Sequence, residues 1–410
     1  MANQLLPHGG IVTPQGFIAG AVRGGIKTEG DDVALIVSET SATAAAVFTR
    51  NMVKAAPVLV CAEHAQHGIA RAIVVNAGNA NCCTGEQGVL NARRMCELAA
   101  AKIGCEPREV LVCSTGIIGH QLPMEKVETA IAAIDLSGDA AVNEIIARAV
   151  MTTDTRPKFC AAQAVIEGRT VTVGGQVKGV GMIGPDMGPL AAQATVPHAT
   201  LLAFLTTDAA VERSTLQRAL ESAVAKSFNS VTVDGDTSTN DTCLLLANGA
   251  SGVLIEQRNY DEFCALLDVV CTQLAKMVAA DGEGATKLVT VEVSGAPTQD
   301  AAKRIALTVA NSPLVKTAIF GRDPNWGRIA AAAGRAGVAF DAHQLSIRLG
   351  GLEVFHNGEP TEFSVADAEA AMQGDELTIG ISLGAGEANW TAWTCDFSYD
   401  YVKINAEYHT

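Results

Sequence analysis

A threonine that follows a small residue near the middle of the chain could act as a nucleophile that needs no partner side chain. Thr200 follows Ala199 and begins the apolar run 201–205. If the chain is cut between these two residues, Thr200 carries a hydroxyl and a free α-amine, whose usual pKa of about 7.7–8.0 suits a general base at neutral pH. A threonine before an apolar run can equally begin a strand or cap a helix. The motifs around it must decide between these interpretations.

Motifs on both sides of Thr200 follow one another along nearly the whole chain. They are Phe48-Thr49-Arg50-Asn51, Asn76-Ala77-Gly78-Asn79-Ala80-Asn81, Cys113-Ser114-Thr115-Gly116, Met151-Thr152-Thr153-Asp154-Thr155, Lys178-Gly179-Val180-Gly181-Met182-Ile183, Thr232 to Asp241, Asp281 to Lys287, Gly321 to Arg328 and Asn405 to Thr410. Together they resemble the ornithine acetyltransferase family, the self-cleaving glutamate N-acetyltransferases of arginine biosynthesis. The resemblance implies cleavage into an alpha chain, residues 1–199, and a beta chain, residues 200–410.

Acyl transfer requires a nucleophile, a base, hydrogen-bond donors for the developing oxyanion and contacts that select the acceptor. By resemblance, Thr115 and Gly116 form the oxyanion hole and Lys178 binds a substrate carboxylate. The resemblance also implies substrate contacts at Thr152, Thr200, Glu283, Asn405 and Thr410, with Glu283 pairing with an α-ammonium. Thr153 is a close rival of Thr152. Taken alone, Thr115 and Gly116 would be an ordinary turn and Lys178 a solvated surface lysine.

The resemblance implies a ping-pong reaction. Thr200 takes the acetyl group from N-acetylornithine, ornithine leaves, and glutamate attacks the acetyl-threonine ester to give N-acetylglutamate. No cofactor is implied, and acetyl-CoA as an additional acetyl donor is left open. The two chains of one precursor would stay together, as a heterotetramer of two alpha and two beta chains.

Two alternatives to this function follow from the same residues. A related N-terminal-threonine amidase or aminopeptidase would use Thr200 with water as the acceptor. An unprocessed relative would bind ornithine without turnover, because residues 188–198 form an insertion just before the nucleophile. Lys178 and Thr200 are 22 residues apart, about twice the family separation. The insertion also creates a rival cleavage site before Thr195, but the residues after Thr200 continue the family pattern directly.

Several elements must position these residues. Apolar runs at 72–75, 110–113 and 170–173 predict strands that end in polar loops, and helical periodicity is clearest at 88–103, 137–150, 214–226 and 260–279. Strands and helices alternate irregularly, which favours an α+β class. The family resemblance makes this a layered α-β-β-α architecture with a second α/β domain.

One motif imitates a nucleotide-binding site. Gly179-Val180-Gly181-Met182-Ile183-Gly184 matches the G-x-G-x-x-G spacing of dinucleotide-binding folds. A helix must begin on that turn to bind pyrophosphate, yet Pro185 and Pro189 interrupt the segment where it would run. We therefore expect these glycines to let the backbone pass close to a substrate or to the cleavage loop.

Composition excludes several other functions. The net charge of −15 disfavours binding to nucleic acid and to anionic membranes. The N-terminal residues lack a signal-peptide pattern, and no uncharged apolar stretch of about 20 residues is present, so we expect a cytoplasmic protein. Eleven cysteines without a Cys-x-x-Cys pair predict mostly reduced, buried thiols. His64 and His67 lie close together but lack companion ligands, so we expect no metal site.

Overall fold

The structure is a computed structural model that describes residues 3–6, 8–189 and 200–407. These residues form two compact units. The first unit contains the residues up to Asn229 together with Asp236–Leu274. The second contains Ser230–Gly235 together with the residues from Ala275 onward.

The strands of the first unit are β1 (Gln4–Leu6), β2 (Phe17–Val22), β3 (Val33–Thr49), β4 (Ile69–Asn79), β5 (Val110–Ile117), β6 (Lys158–Ile166), β7 (Arg169–Lys178), β8 (Met187–Gly188), β9 (Leu202–Thr207), β10 (Ala210–Val211), β11 (Thr242–Ala247) and β12 (Leu254–Ile255). Its helices are α1 (Ala56–Ala65), α2 (Gly85–Ile103), α3 (Met124–Ala133), α4 (Val142–Ala149) and α5 (Arg213–Lys226). Helix α6 (Tyr260–Ala280) begins in the first unit and ends in the second. The second unit contains β13 (Leu288–Ala296), β14 (Ser346–Leu349), β15 (Leu352–His356), β16 (Glu359–Pro360), β17 (Glu376–Ser382) and β18 (Ala388–Cys395), with helices α7 (Gln299–Ala310), α8 (Pro313–Phe320), α9 (Trp326–Gly334), α10 (Val365–Met372) and α11 (Tyr399–Glu407).

A ten-stranded mixed sheet forms the centre of the first unit, as far as the described residues show. Eight strands follow the order β1-β6-β7-β9-β11-β3-β4-β5, and β2 and β8 each pair with β3. The three apolar runs expected as strands lie in β4, β5 and β7, so these predictions are confirmed. Ile73, Val74 and Val75 are consecutive in β4 and all fully buried. Because successive side chains of a strand point to opposite faces, both faces of the sheet are covered there.

The pairing of β7, β9 and β11 positions the region of the expected nucleophile. Strand β7 runs antiparallel to β9, with Lys178 opposite Leu202. Strand β11 runs parallel to β9, with Thr242 opposite Leu202. Since Thr200 lies two residues before the start of β9, the sheet holds it beside the end of β7 and the start of β11.

Three of the four predicted helices are confirmed, as α2, α5 and α6. The fourth begins at Val142 rather than at Ser137. The backbone N–H of Ser137 donates to the Ala19 carbonyl and that of Ala19 donates to the Ser137 carbonyl, both at 2.9 Å. This pairing with β2 holds Ser137 in an extended conformation, so the helix cannot begin there.

Helix α6 is the one helix among the described residues that is long and apolar enough to cross a membrane by length and composition. It carries Asp268 and Lys276, and half of its apolar window is buried within the protein. Phe263, Leu266 and Val270 are among its fully buried side chains, at the spacing of one helical face. This is the pattern of a core helix.

The second unit has its own six-stranded sheet, with the order β16-β15-β14-β17-β13-β18 among the described residues. Strand β13 runs parallel to β17 and antiparallel to β18. Along β13, buried Val289, Val291 and Val293 alternate with more exposed residues, so one face of this strand is buried. They share a hydrophobic core with Ile305 and Val309 of α7. Helices combined with mixed sheets confirm the predicted α+β class.

Candidate active site

Thr200 is half-buried, and both backbone polar groups of the next residue, Leu201, form hydrogen bonds. The Leu201 N–H donates to Oδ1 of Asp241 at 2.6 Å, and the Thr242 N–H donates to the Leu201 carbonyl at 3.0 Å. Ala199, on the other side of the expected cleavage point, lies outside the described residues, as does the rival Thr195.

The Thr200 hydroxyl has a hydroxyl partner. Ser238 Oγ donates to Thr200 Oγ1 at 3.0 Å. The same Ser238 oxygen accepts the Asn240 backbone N–H at 2.8 Å. A hydroxyl that accepts an N–H can still donate its one hydrogen, as Ser238 does to Thr200. The arrangement can hold the threonine oxygen in one orientation.

Asp241 connects the backbones of these two hydroxyl residues. Its Oδ1 accepts the Leu201 N–H, and its Oδ2 accepts the Ser238 N–H at 3.1 Å. The carboxyl is fully buried, and burial raises its pKa to about 8, although both amide bonds act in the opposite direction. One carboxyl group therefore fixes the backbone on both sides of the Thr200 to Ser238 hydrogen bond.

Lys178 contacts two other residues that the sequence assigns to the same site, Thr115 and Thr152. It ends β7 and is 5% exposed. Its Nζ donates to Thr115 Oγ1 at 3.2 Å and to Thr152 Oγ1 at 2.9 Å, and lies 4.0 Å from Oδ2 of Asp154. The threonine that bonds to Lys178 is thus Thr152, the first of the pair at 152 and 153. Lys178 is a buried ammonium rather than the solvated surface lysine of the alternative interpretation.

Asp154 and Lys158 complete a buried charge cluster that sequence analysis missed. Lys158 is 1% exposed, and its Nζ donates to Asp154 Oδ1 at 2.7 Å. The Gly179 N–H donates to the same oxygen at 2.8 Å. Burial favours the neutral acid, but Lys178 and Lys158 outweigh it and lower the pKa of Asp154 to about 2. Two lysine side chains thus lie at one buried carboxylate, and Lys178 also interacts electrostatically with the buried Asp241.

Gly116 occupies a position that only glycine can fill. Its φ is +128°, and a Cβ built there would lie 2.3 Å from the carbonyl carbon of Gly78, its partner on the parallel strand β4. The preceding Thr115 accepts a hydrogen bond from Lys178, which leaves its own hydroxyl hydrogen available for donation. The local geometry is compatible with an oxyanion hole made of this hydroxyl and the Gly116 N–H, and that role stays a prediction.

Gly179 lies directly against the expected nucleophile. Its φ is +146°, and a Cβ there would lie 3.2 Å from the Thr200 carbonyl oxygen. The expected close passage of the glycine-rich segment is therefore present. In its described part, the segment after β7 leads to the short strand β8 and not to a helix. A helix N-terminus that could bind pyrophosphate is absent from that part.

Glu283 and Asn405 lie in the second unit, where they bond to each other. Asn405 Nδ2, on α11, donates to Oε2 of the buried Glu283 at 2.9 Å. Thr410 lies outside the described residues. A shared site of these residues with Thr200 stays a prediction.

No group of three or more His, Cys, Asp and Glu side chains that could hold a metal ion occurs in the described part of the chain. His64 is buried in α1, with its Nδ1 2.8 Å from the Val110 carbonyl oxygen. This contact accounts for His64 as a core residue.

The ArgJ family model matches residues 18–410, almost the whole chain. The chain belongs to the ArgJ family. Two curated relatives of the ArgJ family, named as arginine biosynthesis bifunctional proteins, come from Thermosynechococcus vestitus and Symbiobacterium thermophilum. Each is 46% identical to this chain, over 98% of this chain and over 98% and 99% of their own lengths. A solved structure from Mycobacterium tuberculosis is described as ornithine acetyltransferase complexed with ornithine. Its match to this chain has 39% identity and a TM-score of 0.44, and it covers 46% of this chain and 100% of the solved chain.

Membership in the ArgJ family confirms the resemblance drawn from the motifs. It also confirms that the chain is an enzyme of the acyltransferase class that belongs to arginine biosynthesis.

Sequence reasoning on this ArgJ chain missed residues that stood inside its own motifs. Asp154 is the third residue of Thr-Thr-Asp-Thr, and Ser238 and Asp241 lie in Thr-Ser-Thr-Asn-Asp. An acidic residue in a motif rich in hydroxyl residues was an available signal for Asp154 and Asp241. Lys158 offered no such signal, because nothing in the sequence marks a lysine as fully buried.

Proposed function

We propose that Thr200 is the nucleophile of a self-cleaving glutamate N-acetyltransferase. The observation that carries this proposal is the hydrogen bond from Ser238 to the Thr200 hydroxyl, made where Asp241 fixes the backbone and Lys178 ends the adjacent strand. A hydroxyl held in one orientation, on a strand paired with one that ends in a buried lysine, is suited to attack on an acyl group whose substrate also carries a carboxylate.

Maturation uses the same hydroxyl. Thr200 Oγ1 attacks the Ala199 carbonyl carbon, the C–N bond breaks, and the hydroxyl proton passes to the released amine. Water then hydrolyses the resulting ester and frees a beta chain whose first residue is Thr200. Support comes from Gly179, whose lack of a side chain lets its backbone lie against the Thr200 carbonyl.

Acetyl transfer then proceeds in two halves. The Thr200 hydroxyl attacks the acetyl carbonyl of N-acetylornithine, its α-amine takes the hydroxyl proton, and ornithine leaves with a proton on its nitrogen. The amine of glutamate attacks the ester and regenerates the hydroxyl. Thr115 and Gly116 would stabilise the oxyanion in both halves. Both substrates carry an α-carboxylate, so the Lys178 ammonium can bind each of them in turn.

Further parts of the proposal concern substrates and assembly. Glu283 would pair with the substrate α-ammonium, and Asn405 and Thr410 would be further substrate contacts. Acetyl-CoA would be a second acetyl donor, and the relatives are named bifunctional proteins, which is compatible with a second reaction. We propose no resident cofactor, a cytoplasmic location and a heterotetramer of two alpha and two beta chains.

The deciding experiment is the denatured mass of the purified chain beside its Thr200→Ala variant. We expect the wild type to separate into residues 1–199 and 200–410, and the variant to stay whole. A beta chain that begins at Thr195 would overturn the assignment of the nucleophile. An uncut wild type that binds ornithine would favour the unprocessed relative.

A second assay identifies the acceptor. Processed enzyme is supplied with N-acetylornithine in the presence and absence of glutamate. Formation of ornithine that requires glutamate, with N-acetylglutamate as coproduct, supports the transferase. Ornithine and acetate formed equally fast without glutamate would identify an amidase instead.

A further inference from the structure

The adjacent cysteines Cys82 and Cys83 lie between the end of β4 and the start of α2. Their sulfur atoms are 3.7 Å apart. All eleven cysteines of the chain lie in the described residues, and Cys83 is the exposed one among them, whereas Cys82 is fully buried. An exposed thiol with a second thiol in contact is the arrangement in which an oxidised first sulfur can be captured by the second.

The backbone favours a reversible product over a permanent crosslink. Neighbouring Cα atoms are about 3.8 Å apart across a trans peptide, shorter than the roughly 4.4–6.8 Å of ordinary disulfides. A disulfide between neighbours is therefore strained, and strained disulfides are readily reduced. Cys83 has a φ of +56°, so this backbone is already away from the extended region that points neighbouring side chains apart.

A short series of contacts links Cys82 to the Thr200 hydroxyl. Burial raises the pKa of Cys82 to about 11, and a hydrogen bond with the Thr239 side chain acts against this rise. Thr239 Oγ1 donates to Asn240 Oδ1 at 2.7 Å. The Asn240 N–H donates to Ser238 Oγ, which in turn donates to Thr200. The buried thiol thus supports the same loop that orients the proposed nucleophile.

Asn240 joins the loop that carries the two cysteines to the oxyanion segment, which is residues 114–116. Its Nδ2 donates to the Ala80 carbonyl at 2.8 Å and to the Ser114 carbonyl at 2.9 Å. The Gly119 N–H donates to the Cys82 carbonyl at 3.0 Å. A change of backbone at Cys82 therefore reaches both sides of the proposed site.

From these contacts we infer that Cys82 and Cys83 are a site of oxidative modification, at which a peroxide-class oxidant closes a disulfide between the neighbours and lowers acyl transfer. The Cys83 thiolate attacks peroxide, the O–O bond breaks, and a sulfenic acid and hydroxide form. The Cys82 thiol attacks the Cys83 sulfur, the S–O bond breaks, and water leaves as the S–S bond forms. Each peroxide is reduced by two electrons as the two thiols are oxidised. Closure withdraws the Cys82 sulfur from Thr239.

The effect on activity rests on the proposed function, whereas the chemical step does not, so the two are measured separately. Trypsin cuts after Arg71 and Arg93, and the peptide 72–93 contains these two cysteines and no others. After hydrogen peroxide treatment and alkylation under denaturing conditions, we expect this peptide unalkylated and lighter by two hydrogen atoms. Two alkylated cysteines, or a sulfinic or sulfonic acid at Cys83 in place of the disulfide, would overturn the site.

Activity is followed in the same samples. We expect a loss of most acetyl transfer that dithiothreitol restores, because the threonine nucleophile is not itself oxidised by peroxide. The Cys83→Ser variant should keep its activity under the same treatment, and Cys105→Ser, which removes a partly exposed thiol elsewhere, should respond as the wild type does. A disulfide that forms without loss of activity would overturn the coupling. A chain without acetyl transfer before treatment would contradict the proposed function, and peptide 72–93 would still decide the modification.

Discussion

Lys158 and Asp154 show why burial decides what a charged residue does at this site. Lys158 is almost completely buried, yet it bonds to a carboxylate that already faces Lys178. Lys158 and Lys178 share this one carboxylate, so Lys158 sets the electrostatic surroundings of the lysine that we propose to bind a substrate carboxylate.

Replacing Lys158 by methionine should lower both the stability of the protein and its affinity for substrate. The change keeps most of the apolar side chain and removes the charge, so Asp154 loses its closest ion-pair partner. Breaking a buried pair costs about 3–5 kcal/mol, and because Asp154 then draws on Lys178 alone, KM for glutamate should rise about tenfold or more. Thermal unfolding and steady-state kinetics measure the two effects. Lys126→Met, at an exposed lysine, is the control, and an unchanged KM in a folded Lys158→Met enzyme would contradict the electrostatic role.

Asp241 predicts a pH dependence of stability. Its pKa is about 8 in the folded protein and about 3.9 in an unfolded chain, so the folded state binds the proton more tightly. The stability that this proton contributes is complete below about pH 4 and is lost as the pH rises through about 8. In Asp241→Asn nothing titrates at this position. Unfolding by urea between about pH 5 and about pH 9 should therefore show a steeper loss of stability in the wild type than in the variant.

At the scale of secondary-structure elements, two parallel strands determine the geometry of the oxyanion segment. Strands β4 and β5 end together, and Gly78 lies opposite Gly116 so closely that a side chain would overlap the neighbouring backbone. A rotamer change cannot relieve an overlap with backbone atoms. Strand β5 therefore requires glycine at position 116 for packing against β4, independently of any catalytic role.

Gly116→Ala tests this requirement, and Gly119→Ala provides a matched control. Both glycines have positive φ, but a Cβ at position 119 would meet no atom within 4 Å. Each substitution costs about 1–3 kcal/mol of backbone strain, whereas the displacement of β5 from β4 is specific to position 116. We expect acetyl transfer to fall about 100-fold or more in Gly116→Ala, as when an oxyanion donor is lost, and little in Gly119→Ala. Equal losses in the two variants would assign the effect to strain alone.

Elements were predictable from sequence where local signals agree with the fold. The apolar runs of β4, β5 and β7 are such cases. Helix α4 begins later than its periodicity indicates because Ser137 pairs with Ala19, more than a hundred residues earlier. The meeting of Lys178 with Thr115 and Thr152 came from the resemblance, since no local pattern joins residues so far apart. The hydrogen bond between Ser238 and Thr200 could not be predicted from a local pattern either, because it depends on the pairing of β9 with β11.

At the scale of the whole molecule, the proposed cleavage and the compact units divide the chain differently. Cleavage before Thr200 is a covalent division, and it falls inside the first unit. Strands β9 and β11 follow the cleavage point but lie between β7 and β3 in the sheet order. The two chains would therefore share one sheet, with the beta-chain strands bonded on both sides to alpha-chain strands.

This arrangement predicts that the processed chains do not separate under native conditions. Separation would break the pairing of β9 with β7 and of β11 with β3, and would expose Phe204, Leu244 and Leu246, which are buried in the core of the first unit. Exposing large apolar side chains costs about 1.5–3 kcal/mol each, so dissociation should occur only with unfolding. Native mass spectrometry of processed enzyme should give one species containing both chains, and urea should release them in the same transition that unfolds the sheet. The uncut Thr200→Ala chain serves as the reference for that transition. Free, folded alpha and beta chains below the urea midpoint would contradict the shared sheet.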